Sequence, residues 1–297
     1  MNRFVVLTIL LLIVWSCSRR RVEMITIKGS DTEVNLVMEL AESFMAEELA
    51  VSIAVTGGGS GLGIAALLND KTQIANSSRP LSTDEQTLAH ERNIDIRTVI
   101  FAVDKIAIIV NKAVPISAIT LDQVAKIYAG ELADWQALGC PKARISVFGR
   151  QNSSGTYVYL RDSVVRREFS PRIRELNGTA QVIEAVSQDP NGIGYVSVGY
   201  IQSLPKQGAT APIRALLIVD TKTKKTFSPF EAAYRTSAIY PLTRPLYQFL
   251  RGKPQGKLRQ FIEFELSPRG QQLVRSAGYF PVTPFYKNRY RLNELSL

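Results

Sequence analysis

The stretch VTGGGSGLGIAALLND, Val55 to Asp70, sets three consecutive glycines and a serine directly before an apolar run with helical spacing. Ahead of it, LAVSIAVT (Leu49 to Thr56) reads as a strand, and behind it Leu62, Ala65, Ala66 and Leu68 form part of an apolar helix face. Strand, glycine turn and helix make one βα unit. Ser60, at the junction, could attack a substrate, hold an anion or only begin the helix.

The same unit recurs on both sides. MITIKGS (Met24 to Ser30) alternates like a short strand, and Val34, Val37, Leu40, Ala41 and Phe44 repeat at helical spacing, which puts Ser30-Asp31-Thr32 at a helix N-terminus. TQIANSSRPLSTDEQTLAHERN gives a strand, a turn holding Ser77-Ser78-Arg79-Pro80, and a helix capped near Ser82 with Glu85 completing a capping box. Ile96 to Lys112 is a long β-rich run whose Asp104-Lys105 interruption predicts one strand passing from one domain into another. TLDQVAKIYAG is a compact helix ending at Gly130, and ARISVFGR (Ala143 to Arg150) is a strand that delivers QNSSGTYVYLRDSVV, again turn then helix. Gln181 to Tyr200 reads as helix, turn and strand, and IRALLIVD as a further strand. Ile239 to Arg251 gives a strand, followed by helix with a Ser-Pro break near Ser267. Continuous β and α alternation predicts an α/β fold. With no low-complexity linker, ordered strands must join two lobes.

Before this core, Met1-Asn2-Arg3 and the uncharged run FVVLTILLLIVW (Phe4 to Trp15) match a signal peptide over residues 1–16. The run is shorter than the roughly 20 apolar residues that span a bilayer. Cys17 follows at the place where a bacterial lipoprotein signal is cut and lipidated; the bulky Trp15 departs from that lipobox, and ordinary cleavage is the alternative. Lipidation would leave Cys140 alone, so no disulfide is expected. Residues 17–23 would form a tether, with Arg19, Arg20 and Arg21 near anionic headgroups.

The formal net charge is +10, which suits anionic partners. The densest basic stretches, RDSVVRREF (Arg161 to Phe169) and PRIRE (Pro171 to Glu175), read as a solvated helix face, and export argues against nucleic acid.

Three turns share one design: KGSDT at Lys28 to Thr32, GGGSGLG at Gly57 to Gly63, and RQNSSGT at Arg150 to Thr156. Helix-start N–H groups, serine hydroxyls and the positive end of the helix dipole suit an anion, though plain helix caps would look the same. Catalysis fits poorly. A hydrolase elbow G-x-S-x-G is broken by Leu62 after Ser60 and by Thr156 after Ser154, and the single histidine, His90, lies on an exposed helix position. No phosphate-binding loop G-x-x-x-x-G-K-[ST], dinucleotide fingerprint or His/Cys cluster is present, so no cofactor or metal is expected.

Taken together, GSDT (Gly29 to Thr32), GGGSGLG, SSRPLS (Ser77 to Ser82), GRQNSSGTY (Gly149 to Tyr157) and GIGYVSVGY (Gly192 to Tyr200) resemble the phosphate-binding proteins of high-affinity phosphate ABC transporters, the PstS-like family. The resemblance runs from about Met24 to the end. It implies a type II periplasmic-binding-protein fold: two α/β lobes, 24–103 with 239–297 and 104–238, joined by two crossing strands and closing on phosphate. It places Ser30, Asp31, Thr32, Ser60, Gly61, Ser78 and Arg79 on one lobe's face, and Arg150, Ser154, Gly155 and Thr156 on the other. It further implies a monomer outside the cytoplasmic membrane that serves a membrane permease and does no chemistry on its ligand. Another oxyanion such as sulfate, a phosphate sensor or scavenger, and an envelope phosphatase are the rival readings. Some members carry an aspartate at the position of Ser78, which accepts the phosphate proton and rejects sulfate. Here Asp31 is the acid within these motifs and takes that role in our reading; Arg79 is either a second cation or a partner for Asp31.

Overall fold

The computed structural model describes residues 22–203, 212–231 and 240–282. The expected signal peptide and Cys17 lie outside the described residues.

In lobe I, β1 (Glu23–Gly29) is followed by α1 (Val34–Glu47), whose Leu36, Val37, Leu40, Ala41 and Phe44 are buried along one face. Burying each large side chain of that stripe against the sheet is worth roughly 1.5–3 kcal/mol. β2 (Val51–Thr56) turns through Gly57–Gly59 into α2 (Ser60–Leu68). Gly58 and Gly59 have φ of 122° and 103°, a region that only glycine occupies without strain. β3 (Ile74–Ser77) leads to α3 (Thr83–Glu91), with both halves of the Ser82/Glu85 capping box formed. β1 runs parallel to both β2 and β3. Their carboxyl ends therefore bring Ser30–Thr32, Gly57–Ser60 and Ser77–Ser78 to one edge, where open α/β sheets bind ligands.

β4 (Ile96–Asn111) is one unbroken 16-residue strand. Beyond it come β5 (Ala118–Thr120), α4 (Leu121–Tyr128), β6 (Ser146–Arg150), α5 (Gly155–Leu160), β7 (Arg174–Leu176), α6 (Thr179–Gln188), β8 (Gly192–Ser197) and α7 (Val198–Ser203). β9 (Ile213–Ala215), β10 (Leu217–Val219) and β11 (Thr226–Phe227) complete lobe II. The chain then returns through β12 (Thr243–Arg251) to α8 (Gly256–Leu266) and α9 (Pro268–Ser276), the latter capped by Ser267. Among the described residues nine strands make one sheet, β2-β1-β3-β12-β4-β8-β6-β7 with β9 also on β4. β12 pairs antiparallel with β4 from Ile96 to Lys105, and β8 pairs with it from Ile106 to Val110. The two lobes are thus halves of one sheet that share β4.

Each half is packed on both faces. Leu36, Leu40, Phe44, Phe101, Leu246 and Phe261 lie in one lobe I core, with Ile64, Leu67 and Phe249 on the opposite face. Ile106, Ile108, Tyr128, Trp135, Leu160 and Tyr195 lie in the main lobe II core, and Ala107, Ile109, Val182 and Val186 on its other face.

Three local expectations differ from the structure. The helix expected through Arg161–Phe169 loosens into a π turn at Arg161–Val165 and stops at Arg166, whose φ is 57°. IRALLIVD is two strands, because Leu216 between them turns into the core while β9 pairs with β4 and β10 with β5. Tyr240 and Leu242 pack in the lobe II core, and the Tyr240 hydroxyl donates to the Ile106 carbonyl at 2.8 Å. The strand expected from Ile239 thus begins at Thr243.

Candidate functional site

The hydroxyl-bearing turns of the two lobes meet. Ser30, Thr32, Ser60, Ser78, Ser154 and Thr156 are all nearly inaccessible to solvent. Ser30 Oγ donates to Ser78 Oγ at 3.1 Å, Ser60 Oγ lies 3.4 Å from Ser78 Oγ, and Thr32 Oγ1 lies 3.2 Å from Thr156 Oγ1 across the cleft. A hydroxyl that can turn its proton from one neighbour to another is well suited to donate to an oxyanion placed among them.

Ser60 is the first residue of α2 but does not cap it; Gly59 holds the N-cap position. Its Oγ instead accepts from the Ser78 backbone N–H at 3.1 Å, tying two turns of lobe I together. The adjacent Gly61 N–H donates to the Ser153 carbonyl of lobe II at 2.9 Å. Part of the helix start is thus satisfied by the opposite lobe. Ser154 is a true N-cap, accepting from Thr156 N at 3.2 Å and Tyr157 N at 3.5 Å, and so fixes the turn that presents Gly155 and Thr156.

Arg150, at the end of β6, is buried. Its guanidinium donates to the Leu176 carbonyl at 3.3 Å, the Asn177 carbonyl at 2.8 Å, Thr179 Oγ1 at 3.0 Å and Asp31 Oδ2 at 2.5 Å. Four of its five N–H groups are thereby engaged, leaving one on Nη1 for a ligand. The other Asp31 oxygen accepts from Gly58 N at 2.9 Å. Asp31 therefore joins the glycine turn of its own lobe to the arginine of the other.

The structure brings in a cation that the sequence reading missed. Arg244, on β12, is 2% exposed. Its Nη2 reaches Thr156 Oγ1 at 3.1 Å and Thr32 Oγ1 at 3.3 Å, its Nη1 donates to the Ser78 carbonyl at 3.2 Å, and its counter-ion is Asp104 at 3.1 Å. Asp104 is wholly buried; burial pushes its carboxyl up, opposed by Arg244 and by Ser197, whose hydroxyl donates to it at 2.7 Å. The signal was present in FAVDKIAI and LTRPLYQFL, two apolar strands of which the first carries Asp104 and Lys105 and the second Arg244.

Arg79 is turned elsewhere. Its guanidinium makes two 2.7 Å contacts with the Glu85 carboxylate, the residue that closes the α3 capping box. Burial pushes Glu85 up, but the hydrogen bonds from Arg79 and Ser82 outweigh it and hold the group below its ordinary range. Arg79 thus pairs neither with Asp31 nor with the hydroxyl ring. Arg79→Gln is expected to lower thermal stability slightly and to leave anion affinity almost unchanged, as calorimetric titration of variant and parent would show. The exposed His90 and the buried Cys140 stand outside the site. Among the described residues no group of His, Cys, Asp and Glu is arranged to hold a metal ion.

Two α/β lobes that share a strand and close over buried hydroxyls and guanidiniums define a solute-binding protein of the periplasmic-binding type, and the PBP superfamily domain model matches residues 17–269. The chain is 31% identical over 273 residues to the phosphate-binding protein PstS of Pseudomonas aeruginosa, covering 86% of this chain and 81% of that one. It belongs to that family. The fold is also that of an ABC-type phosphate transport receptor from Vibrio cholerae, at 26% identity and TM-score 0.66 over 86% of this chain and 99% of that one. It is likewise that of a Clostridium perfringens phosphate ABC transporter substrate-binding protein solved with bound phosphate, at 24% identity and TM-score 0.73 over 88% and 100%.

Proposed function

We propose that this chain is the extracytoplasmic receptor of a phosphate ABC transporter, which holds inorganic phosphate between its lobes and delivers it to a membrane permease. The observation that carries this reading is the buried ring of hydroxyls from both lobes between Arg150 and Arg244. A desolvated oxyanion needs several donors and balancing charge, and fixed hydroxyls, turn N–H groups and two preorganised guanidiniums supply both. Capture requires no covalent step. Ser30, Thr32, Ser60, Ser78, Arg150, Gly155, Thr156 and Arg244 take the ligand, Gly61 spends its N–H on the Ser153 carbonyl across the lobes instead, and Ser154 shapes its turn.

Asp31 accepts the proton of the bound phosphate in this reading, since its carboxylate retains lone pairs beyond those used by Gly58 and Arg150. Asp31→Asn should weaken phosphate binding and admit sulfate; tight phosphate binding with sulfate still refused would remove Asp31 from the role. Cys17 carries the lipid that tethers the receptor, an assignment read by mass spectrometry of the mature N-terminus. Calorimetric titration of the mature protein with phosphate, sulfate and arsenate, beside a phosphatase assay, tests the whole. Saturable phosphate binding without turnover is expected; hydrolysis of a phosphate ester, or no phosphate binding, would end the proposal.

A further inference from the structure

Behind the hydroxyl ring, lobe I buries four polar side chains with an incomplete set of partners. Glu33, Gln248 and Glu265 are 0% exposed and Asn76 1%. Gln248 Nε2 donates to Glu265 Oε1 at 3.1 Å. Glu265 Oε2, Asn76 Oδ1 and Gln248 Oε1 have no donor among the described residues, and the Glu33 oxygens have near them only the Ser30 hydroxyl, which is already directed to Ser78. Asn76 and Gln248 are direct cross-strand partners on β3 and β12, and Glu265 reaches Gln248 from α8.

These unpartnered atoms are all acceptors as ionised carboxylates and amides would present them. Burying them unmet is costly, most of all for a charge. The carboxyl groups can themselves supply what is missing. One proton on each removes a buried charge and turns one oxygen of the carboxyl from an acceptor that lacks a donor into an O–H donor.

The surroundings favour those protons. Glu33 is faced by Ser30 of its own turn, Arg244 of β12, Asp104 of β4, Glu265 of α8 and Tyr279 beyond α9, whose hydroxyl donates to the Thr32 carbonyl. Burial is the largest influence and raises Glu33 well above the ordinary carboxylate range; Asp104 and Glu265 add to it, Ser30 and Arg244 oppose it. Arg244 is already paired with Asp104. For Glu265, burial opposed by Gln248 gives about 8.

The cluster also abuts the ligand. Glu33 follows Thr32 in sequence, its N–H donates to the Ser30 carbonyl at 3.1 Å, and the Ser30 N–H donates to the Asn76 carbonyl at 3.0 Å. We propose that Glu33 and Glu265 form a proton-holding pair beneath the anion cradle, neutral while phosphate is bound, whose deprotonation expels it. The proposal rests on the phosphate reading and adds its regulation: a carboxylate formed there repels the dianion through a poorly screening interior. By linkage, phosphate in turn strengthens proton binding.

The test is calorimetric titration with inorganic phosphate from pH 6.5 to 9. Beyond the ionisation of phosphate itself, wild-type affinity should fall by up to about tenfold per pH unit for each proton lost. Glu33→Gln and Glu265→Gln should each flatten that fall while keeping near-wild-type affinity at pH 6.5. Repeating the titration at pH 8.5 in buffers of different ionisation enthalpy should show net proton uptake in the wild type and less in each variant. Lys105, lowered to about 8 chiefly by burial, titrates in the same range, but it faces the Glu231 carbonyl and the Phe280 and Tyr240 rings. The variants therefore separate its effect from that of the pair.

A further measurement needs no ligand. Carboxyls protonated in the folded chain and ionised in the unfolded one make stability fall as pH rises from the ordinary carboxylate range toward about 8. The fall in Tm over that window should be shallower in both variants. Phosphate binding whose pH profile and proton uptake are unchanged in the variants overturns the proposal. A wild type that binds no phosphate overturns the transport reading, and the Tm slopes then still decide whether the protonated pair exists.

Discussion

Arg244→Met is expected to abolish useful phosphate binding and to lower the unfolding temperature, two effects with separate causes. Removing one partner of a buried, charge-assisted contact costs about 2–5 kcal/mol, roughly 30- to several-thousand-fold in Kd. The stability loss comes from Asp104, which is 0% exposed and would lose its cation; breaking such a pair typically costs about 3–5 kcal/mol. The double variant Arg244→Met/Asp104→Asn distinguishes them, because it should recover much of the unfolding temperature and none of the affinity. An Arg244→Met protein that binds phosphate like its parent would remove Arg244 from the ligand shell.

Gly155→Ala is expected to leave both lobes folded and to make their closing costlier. A Cβ built on Gly155 would lie 2.4 Å from Ser60 Oγ and 2.5 Å from Ser78 Oγ, both on the opposite lobe. Gly155 begins α5, where alanine is favoured over glycine, so local stability should hold or rise. Overpacking of this kind costs about 1–3 kcal/mol, here charged to the closed form alone. Affinity should fall roughly 5- to 150-fold, and compaction followed by small-angle scattering should need phosphate raised by the same factor. Normal compaction and affinity in this variant would mean that the serines yield more readily than their packing indicates.

The fold was legible because βα periodicity and glycine turns are local properties. α1 buries the very stripe Leu36, Val37, Leu40, Ala41 and Phe44 that helical spacing suggests, and Ser82 with Glu85 closes a capping box visible as four residues of text. The turns at Ser30–Thr32, Gly57–Ser60 and Ser153–Thr156 were found for the same reason. Arg244 was not, because its meaning lies in a partner 140 positions away. In the sequence Asp104 looks like a break between domains, and nothing near it shows the charge that answers it. Arg79 stood inside a recognisable motif, yet Glu85 six residues on binds it. Glu33 stands two residues from Asp31, and nothing in GSDTE tells which acid faces the cleft and which faces the core.

β4 bears on how the lobes move. Around the crossing, Pro245 lies opposite Val103 but has no N–H to offer, and Val103 instead exchanges bonds of 2.8 and 2.9 Å with Phe280. The connection is therefore a hydrogen-bonded ribbon rather than a slack tether. Such a ribbon twists more readily than it stretches or swings, so the two lobes behave as one body with a single soft angle. An anion arriving between them freezes that one angle, not the many orientations two tethered domains would explore. Little of its contact energy is then spent on ordering the protein, and the ribbon's restoring twist remains available to part the lobes when the ligand leaves.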